Sequence, residues 1–427
     1  MFHKRFATLI LPALLLSAFG CQKSIFESPT VSPASLRDVP ALRLNYRFES
    51  DIPAPPASEA SRTGERNAAV QADFDQNRPL EMLDETIFSP DKQRVLAVYH
   101  RIDDAQNEFR VDMYAADGKL LKRITYDGMA VHFPDTIVWS PDSKSVAFVA
   151  MLRALNPQPT PPPNQTENPA NTSTETPTDA NTNVNPENTI PAATPQVEQP
   201  QAVLTLRTEQ IYICGSDGED LKLLTQNQGK IYYYFAWSPD SSMLVAMAAT
   251  YPEWRYLEDQ ANTKGEKFVP LGRLRLVETN GRERLLDDNL TKVRPVWSPD
   301  SAKVAAAFDT QVRIYDAIGS APTQAAIPLR NQLLISSQAF DQELARKEQT
   351  GNENAPPANA NPSVSTLPDE ATLVSFSPII ELEWTEDKML YLQTGYVKQF
   401  KNEAENVRSY LRWHRLIFSP QPVALGK

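Results

Sequence analysis

Trp237-Ser238-Pro239-Asp240 stands just ahead of an apolar run at 244–249, and the same four letters recur at 139–142 and 297–300, with phenylalanine replacing tryptophan at 88–91. The other three copies also precede apolar, β-prone runs, at 146–151, 304–308 and 95–99. Self-similarity at a long period marks stacked supersecondary units. The tetrapeptide has a mechanical reading: serine opens a type I turn, proline presets φ at the second position, and aspartate takes the third. Polar turn chemistry repeated in every unit is architecture, not one active site. The tryptophans read as core aromatics of an innermost strand.

Ser89 and Ser140 lie 51 positions apart, Ser140 and Ser238 98, and Ser238 and Ser298 60. The long gap contains residues 156–201, rich in Pro, Thr and Asn, which cannot bury enough apolar surface to fold and are expected to be disordered. Without about 45 such residues the gap becomes about 53, within the range of propeller repeats. A fifth aromatic of this kind is Trp384, 87 positions after Trp297. That interval holds a helical pattern at 338–349 and a polar stretch at 351–369, and without them it is about 54.

A second turn recurs in each unit, at Asp117-Gly118, Asp217-Gly218, Asn280-Gly281 and, in degenerate form, Ile318-Gly319. Asp-Gly and Asn-Gly between apolar runs are strong hairpin signals, and two hairpins make four antiparallel strands. The expected fold class is therefore all-β: a single β-propeller of four-stranded antiparallel blades, five in number with six left open. Closing such a ring calls for strands from both termini in one blade, because an open sheet edge is a pairing hazard. Residues 42–48, apolar at every second position, are expected to pair with 410–418. The propeller then covers 42–427, with low-complexity inserts at about 53–79, 156–201 and 338–369.

The totals exclude several functions. The formal net charge is −11 and no basic, aromatic stripe occurs, so nucleic acid is not an expected partner. The four histidines, His3, His100, His132 and His414, form no pair at metal-ligand spacing, so no metal or other cofactor is expected. The 36 prolines fit punctuated strands and linkers. Cys214, in a strand-like stretch, reads as a small packed side chain and not a nucleophile. No catalytic residue is nominated.

Trp-Ser-Pro-Asp, an apolar strand, Asp-Gly and a closing Leu224-Thr225 (with Ile124-Thr125 similar) together resemble the TolB-like β-propeller repeat over roughly residues 85–395, inserts excluded. That family usually has glycine after the aspartate, where this chain has Lys92, Ser143, Ser241 and Ser301. A type I turn prefers glycine there without requiring it, so weaker turns are expected.

The N-terminus reads as an address. Lys4 and Arg5 precede an apolar run at 7–19 that is too short to span a bilayer but suits a secretory signal. Ala18-Phe19-Gly20-Cys21 follows and resembles a bacterial lipoprotein signal. The resemblance implies a signal over 1–20, acyl chains on Cys21, a tether over 21–41, and export to a membrane-anchored place in the envelope. Gln22 after the cysteine favours the outer membrane where the host has two.

In a four-stranded blade the A–B and C–D turns fall on one side, and the B–C and D–A connections on the other. Residues 156–201 and 250–269 are B–C connections, while 338–369 and 53–79 are D–A connections, so all elaboration sits opposite the tight turns. Variable loops on a rigid scaffold are where function concentrates. The residues leading into the inner strands near the channel, His132, Tyr233 and Arg294, are the candidates for partner contact. The expected function is a non-catalytic module binding an envelope protein or peptide, identity unknown, through the loop-rich face. The alternatives are an envelope scaffold and a propeller hydrolase or gating module, for which no Gly-x-Ser-x-Gly is present.

Overall fold

The computed structural model describes residues 35–56, 66–105, 107–152, 206–319, 323–350 and 367–420. Its strands form five antiparallel sheets. Sheet I orders Glu81–Phe88, Arg94–Arg101, Arg110–Ala115 and Leu120–Arg123. In sheet II the inner strand is broken into Met129–Ala130 and Val138–Trp139, both on Ser145–Leu152, followed by Gln210–Gly215 and Lys222–Leu223. Sheet III runs Lys230–Trp237, Met243–Thr250, Arg273–Glu278, Glu283–Leu285, and sheet IV runs Val296–Trp297, Lys303–Phe308, Gln311–Asp316, Gln324–Pro328. Sheet V joins Ile379–Glu386, Met389–Lys398 and Val407–Pro420 to the early strand Leu44–Ile52. The arrangement is all-β and propeller-like, and the expected pairing of early and late strands is present, with Tyr46 opposite Phe418 and Phe48 opposite Leu416.

The tetrapeptides make the expected turns. Each serine carbonyl accepts the N–H of the residue three positions on, at 2.8 Å for Lys92 and 2.9 Å for Ser143, Ser241 and Ser301. These fourth residues have φ of 59°, 62°, 63° and 62°, which is a type I turn closed by a left-handed residue. Glycine is preferred there because an L side chain in that region is strained.

Three of the substitutes do more than endure the strain. The N–H of Asp91 donates to Ser143 Oγ at 3.1 Å, that of Asp142 to Ser241 Oγ at 3.1 Å, and that of Asp240 to Ser301 Oγ at 3.0 Å. Each serine thus ties its own sheet to the turn of the preceding one. Lys92 has no oxygen to offer. The expected weakening holds for the backbone strain, but the serine hydroxyls add a bond that glycine could not make.

A second set of ties runs along the opposite face. Phe109 exchanges both backbone bonds with Val131, and Gly272 with Thr291, while Glu209 donates to Lys230 O and accepts from Tyr232. Between these two rows lie the hydrophobic layers. Leu96, Val98 and Met113 of sheet I meet Val146 and Phe148 of sheet II. Val149 and Ile211 meet Leu244 and Ala246, and Val245 and Leu276 meet Val304 and Tyr315. Ala307 and Ile314 of sheet IV meet Leu382, Leu392 and Leu416 of sheet V. Burial of such side chains contributes about 1.5–3 kcal/mol each. Trp139 and Trp297 are buried as expected, and each indole also donates to the preceding sheet, to Ile87 O at 3.1 Å and Ala236 O at 3.0 Å.

The remaining face of sheet I is covered by a helix instead of a sheet. Within the stretch expected to be low-complexity, residues 68–77 form helix α1 (Ala68–Asn77), a correction to the reading of 53–79. Asn67 caps it by accepting from Ala69 and Val70 N–H at 3.0 Å, and Val70 and Phe74, one turn apart, bury against Leu83, Val95, Tyr99 and Tyr114. Arg78 follows, its guanidinium 4.0 Å and 4.3 Å from the Phe74 and Tyr99 ring centres and 2.7 Å from Asp112 Oδ2. Burial pushes the Asp112 carboxyl up to about 6 against the pull of that arginine.

Two further α-helices occur among the described residues. Helix α2 (Tyr251–Thr263) occupies the B–C connection of sheet III, and helix α3 (Arg330–Thr350), longer than the expected 338–349, precedes sheet V. Residues 156–201 and 351–366 lie outside the described residues. Cys214 is buried, and burial lifts its thiol to about 12.

Candidate functional site

The loop face between sheets II and III is organised by α2. Its first turn is fixed locally: Thr250 and Glu253 form a reciprocal capping box, and Arg273 grips Glu253 at 2.8 and 2.9 Å. This aims Trp254 inward, where its ring centre lies 4.7 Å from Phe268, 5.6 Å from Tyr233 and 5.8 Å from Phe133. Trp254 is buried, and its Nε1 has no hydrogen-bond partner among the described residues.

His132 and Tyr233 belong to this neighbourhood. His132 Nδ1 lies 2.8 Å from Glu209 Oε1, close enough for an ion pair but without hydrogen-bond alignment, and Nε2 lies 3.7 Å from Glu108 Oε1. Glu209 is fully buried and held between sheets by its own backbone bonds to Lys230 and Tyr232. Arg207 donates to its Oε1 through Nε at 2.9 Å, with Nη2 at 2.8 Å, while Oε2 is buried without a hydrogen-bond partner among the described residues. The Tyr233 hydroxyl is also buried and has no hydrogen-bond partner among the described residues, and burial raises its pKa against the opposing pull of Arg294. Glycine at 272 makes this possible, since a Cβ there would stand 2.6 Å from the Tyr233 oxygen.

Arg294 sits apart from the aromatic cluster. It is exposed, with its guanidinium 4.8 Å from the Tyr234 ring centre. The structure therefore packs Tyr233 on Trp254, sets His132 against Glu209 next to Phe133 of the same aromatic cluster, and places Arg294 over Tyr234. Cys21 lies outside the described residues.

Beyond α2 the chain crosses to a sheet that is not its neighbour. Glu266 pairs with Phe400 in an isolated antiparallel bridge, Lys267 N–H donates to Gln399 O at 2.9 Å, and Lys401 N–H donates to Gly265 O at 2.9 Å. Ion pairs flank the bridge, Lys398 with Glu266 at 2.8 Å and Lys267 with Glu403 at 3.0 Å. The connection of sheet III is thereby strapped to the long hairpin of sheet V, with sheet IV passed over.

Sequence reasoning missed Glu209, Trp254 as an organiser, and the strap. Thr250-x-x-Glu253 ahead of an apolar residue was a legible helix start. Nothing local marked Glu209, whose role comes from a sheet-to-sheet contact. Chemically the site offers a recessed carboxylate oxygen, an imidazole and an aromatic wall. The polar groups facing His132 are the carboxylates of Glu108 and Glu209, and among the described residues no group of three His, Cys, Asp or Glu side chains could hold a metal. Nor is any described helix long and apolar enough to cross a membrane.

No known family model matches the chain, and no curated protein matches it. Among solved structures it is similar to prolyl oligopeptidase B from Galerina marginata (9% identity, 79% of this chain and 36% of that one, TM-score 0.38). It is also similar to oligogalacturonate lyase from Vibrio parahaemolyticus (8%, 79% and 66%, TM-score 0.33). A putative TolB from Agrobacterium tumefaciens matches at 13% identity over 56% of this chain and 62% of that one, with a TM-score of 0.25. The chain spans about a third of the length of the oligopeptidase, and at these TM-scores none of the likenesses bears on activity.

Proposed function

We propose that this chain is a five-bladed, lipid-anchored propeller of the bacterial envelope, its last blade completed by a strand from the N-terminal side, which acts as a non-catalytic module binding an envelope protein or peptide through its loop face. The carrying observation is the asymmetry between faces. One face consists of short turns tied to one another by serine hydroxyls, whereas the other carries α2, the strap and the cluster of His132, Glu209, Tyr233 and Trp254. Loops supported by a rigid scaffold are where recognition concentrates. Buried polar atoms without partners among the described residues, at Glu209 Oε2, Tyr233 Oη and Trp254 Nε1, are costly unless something supplies the missing bond. Arg294 and Tyr256, both exposed, extend this face outward. Acyl chains on Cys21 supply the anchor, since each buried methylene contributes about 0.8 kcal/mol.

The test is photocrosslinking in intact cells from positions 256 and 294 on the loop face and from position 119 on the turn face. A discrete adduct from the first two and none from the third is expected. No adduct from either loop position, or the same adducts from all three, would count against the reading.

A further inference from the structure

We propose that the tight-turn face is the membrane-proximal face of the protein, set there by a clamp on the chain's N-terminal lead, so that the loop face looks away from the bilayer. This rests on the acylation of Cys21 proposed above.

The lead is held by a buried cation. Lys303, 2% exposed, donates from Nζ to Val39 O at 2.7 Å and pairs with Asp316 Oδ1 at 2.5 Å, while Asp316 Oδ2 accepts the Ala41 N–H at 3.0 Å. Leu36, Val39 and Ala41 are buried, Leu36 and Ala41 within the hydrophobic layer between sheets IV and V. Arg37 Nη1 donates to the carbonyl of Asp300 at 3.0 Å. Asp300 closes the tetrapeptide of sheet IV, which places this contact on the turn face. From there Leu44–Ile52 runs across the sheet, from Leu44 opposite Pro420 to Ile52 opposite Trp413, toward the loop face. A buried lysine whose amine is shared between a carbonyl and a carboxylate satisfies the condition under which a buried charge persists. Removing it would leave Asp316 Oδ1 and the Val39 carbonyl without this donor, Asp316 Oδ2 keeping those from Ala41 and Thr323.

Reach then favours the turn face. Cys21 precedes Ser35 by 14 positions, which span at most about 50 Å when fully extended. Strands of eight residues make the body about 26 Å thick from turn face to loop face, and α2 adds about 10 Å above it. Presenting the loop face to the bilayer would require the lead to travel outward from sheet IV and then climb that whole height, about 36 Å of its roughly 50 Å extended length. Presenting the turn face requires none of it.

The experiment uses the acylated full chain in phosphatidylcholine vesicles carrying a headgroup-labelled acceptor lipid. A donor dye is placed through Lys119→Cys on the turn face or Glu405→Cys on the loop face, with the buried Cys214 left unlabelled. Energy transfer at least three-fold stronger from position 119 is expected, and equal or reversed efficiencies would overturn the proposal. A Cys21→Ser chain that still sediments with vesicles would refute the acyl anchor and not the clamp. The clamp is read separately, with the dye on Cys21 of the unacylated, leaderless chain and acceptors at the same two positions. Stronger transfer to 119, reduced by Lys303→Met, supports the orientation; equal transfer to both positions overturns it.

Discussion

The four left-handed turn residues allow strain and bonding to be separated by substitution. Lys92 and Ser241 occupy equivalent positions at φ of 59° and 63°, but only Ser241 accepts a bond from the preceding sheet, from Asp142 N–H at 3.1 Å. Holding an L residue in the left-handed region costs about 1–2 kcal/mol. Glycine removes that cost but widens the unfolded ensemble by roughly 0.5–1 kcal/mol, leaving glycine ahead of alanine by about 1 kcal/mol at either site. The inter-sheet bond contributes about 1 kcal/mol net. Ser241→Ala should therefore destabilise by about 1 kcal/mol, and Ser241→Gly should be close to neutral. Lys92→Ala forfeits only a weak contact with the Phe88 ring, 5.2 Å away, and Lys92→Gly should stabilise by about 0.5 kcal/mol. Urea unfolding followed by tryptophan fluorescence resolves these differences, because 1 kcal/mol moves the midpoint by about 0.3 M for a chain of this size. If Ser241→Ala proves as mild as Lys92→Ala, the hydroxyl ties between sheets contribute nothing and the reasoning fails.

Other substitutions probe the buried polar groups and the strap. Arg78→Met leaves Asp112 buried without its cation and should cost about 3–5 kcal/mol, most of it recovered in the double variant with Asp112→Leu, as calorimetry would register. Burial, with the Arg412 charge beside it, lowers the His414 pKa to about 4 from 6.5, so between those values the unfolded chain holds a proton that the folded one does not. Stability from this group is therefore present above pH 6.5 and lost as pH falls through 4, about 3 kcal/mol in all. Asp112, raised to about 6, has the opposite slope over part of this window, so the test is the difference between wild type and His414→Gln, which should shrink steadily from pH 7 to pH 4. Lys398→Glu sets like charges against Glu266 and should speed hydrogen exchange at the Lys267 and Lys401 amides, while changing global stability by less than about 1 kcal/mol.

What the sequence disclosed was whatever the backbone dictates locally. Ser-Pro-Asp and Asp-Gly turns and alternating runs were legible because turn chemistry and period-2 patterning are short-range properties, and the pairing of early and late strands followed from the need to cover an open sheet edge. Helix α1 was masked by the prolines and polar residues around it, although Val70 and Phe74 at helical spacing carried the signal. The serines after each aspartate read as imperfect glycines, since their value lies in an N–H some 52 to 99 positions away. Glu209 was invisible for the same reason. Lys303 looked like any strand lysine until the N-terminal lead was seen lying over it.

Sheet V has a consequence for the order of events during folding. Its Arg412 grips Asp51 at 2.6 and 2.8 Å across 361 positions of chain. Loop closure over such a span is entropically slow, and topologies dominated by distant pairings fold late. Sheets I to IV can each assemble from residues close in sequence and dock on the one before. The strand 44–52, among the earliest to be made, has nothing to pair with until 407–420 arrives. For that interval it is an unpaired β segment of the kind that seeds association between chains, so holding it apart is what a chaperone attending this protein would have to do.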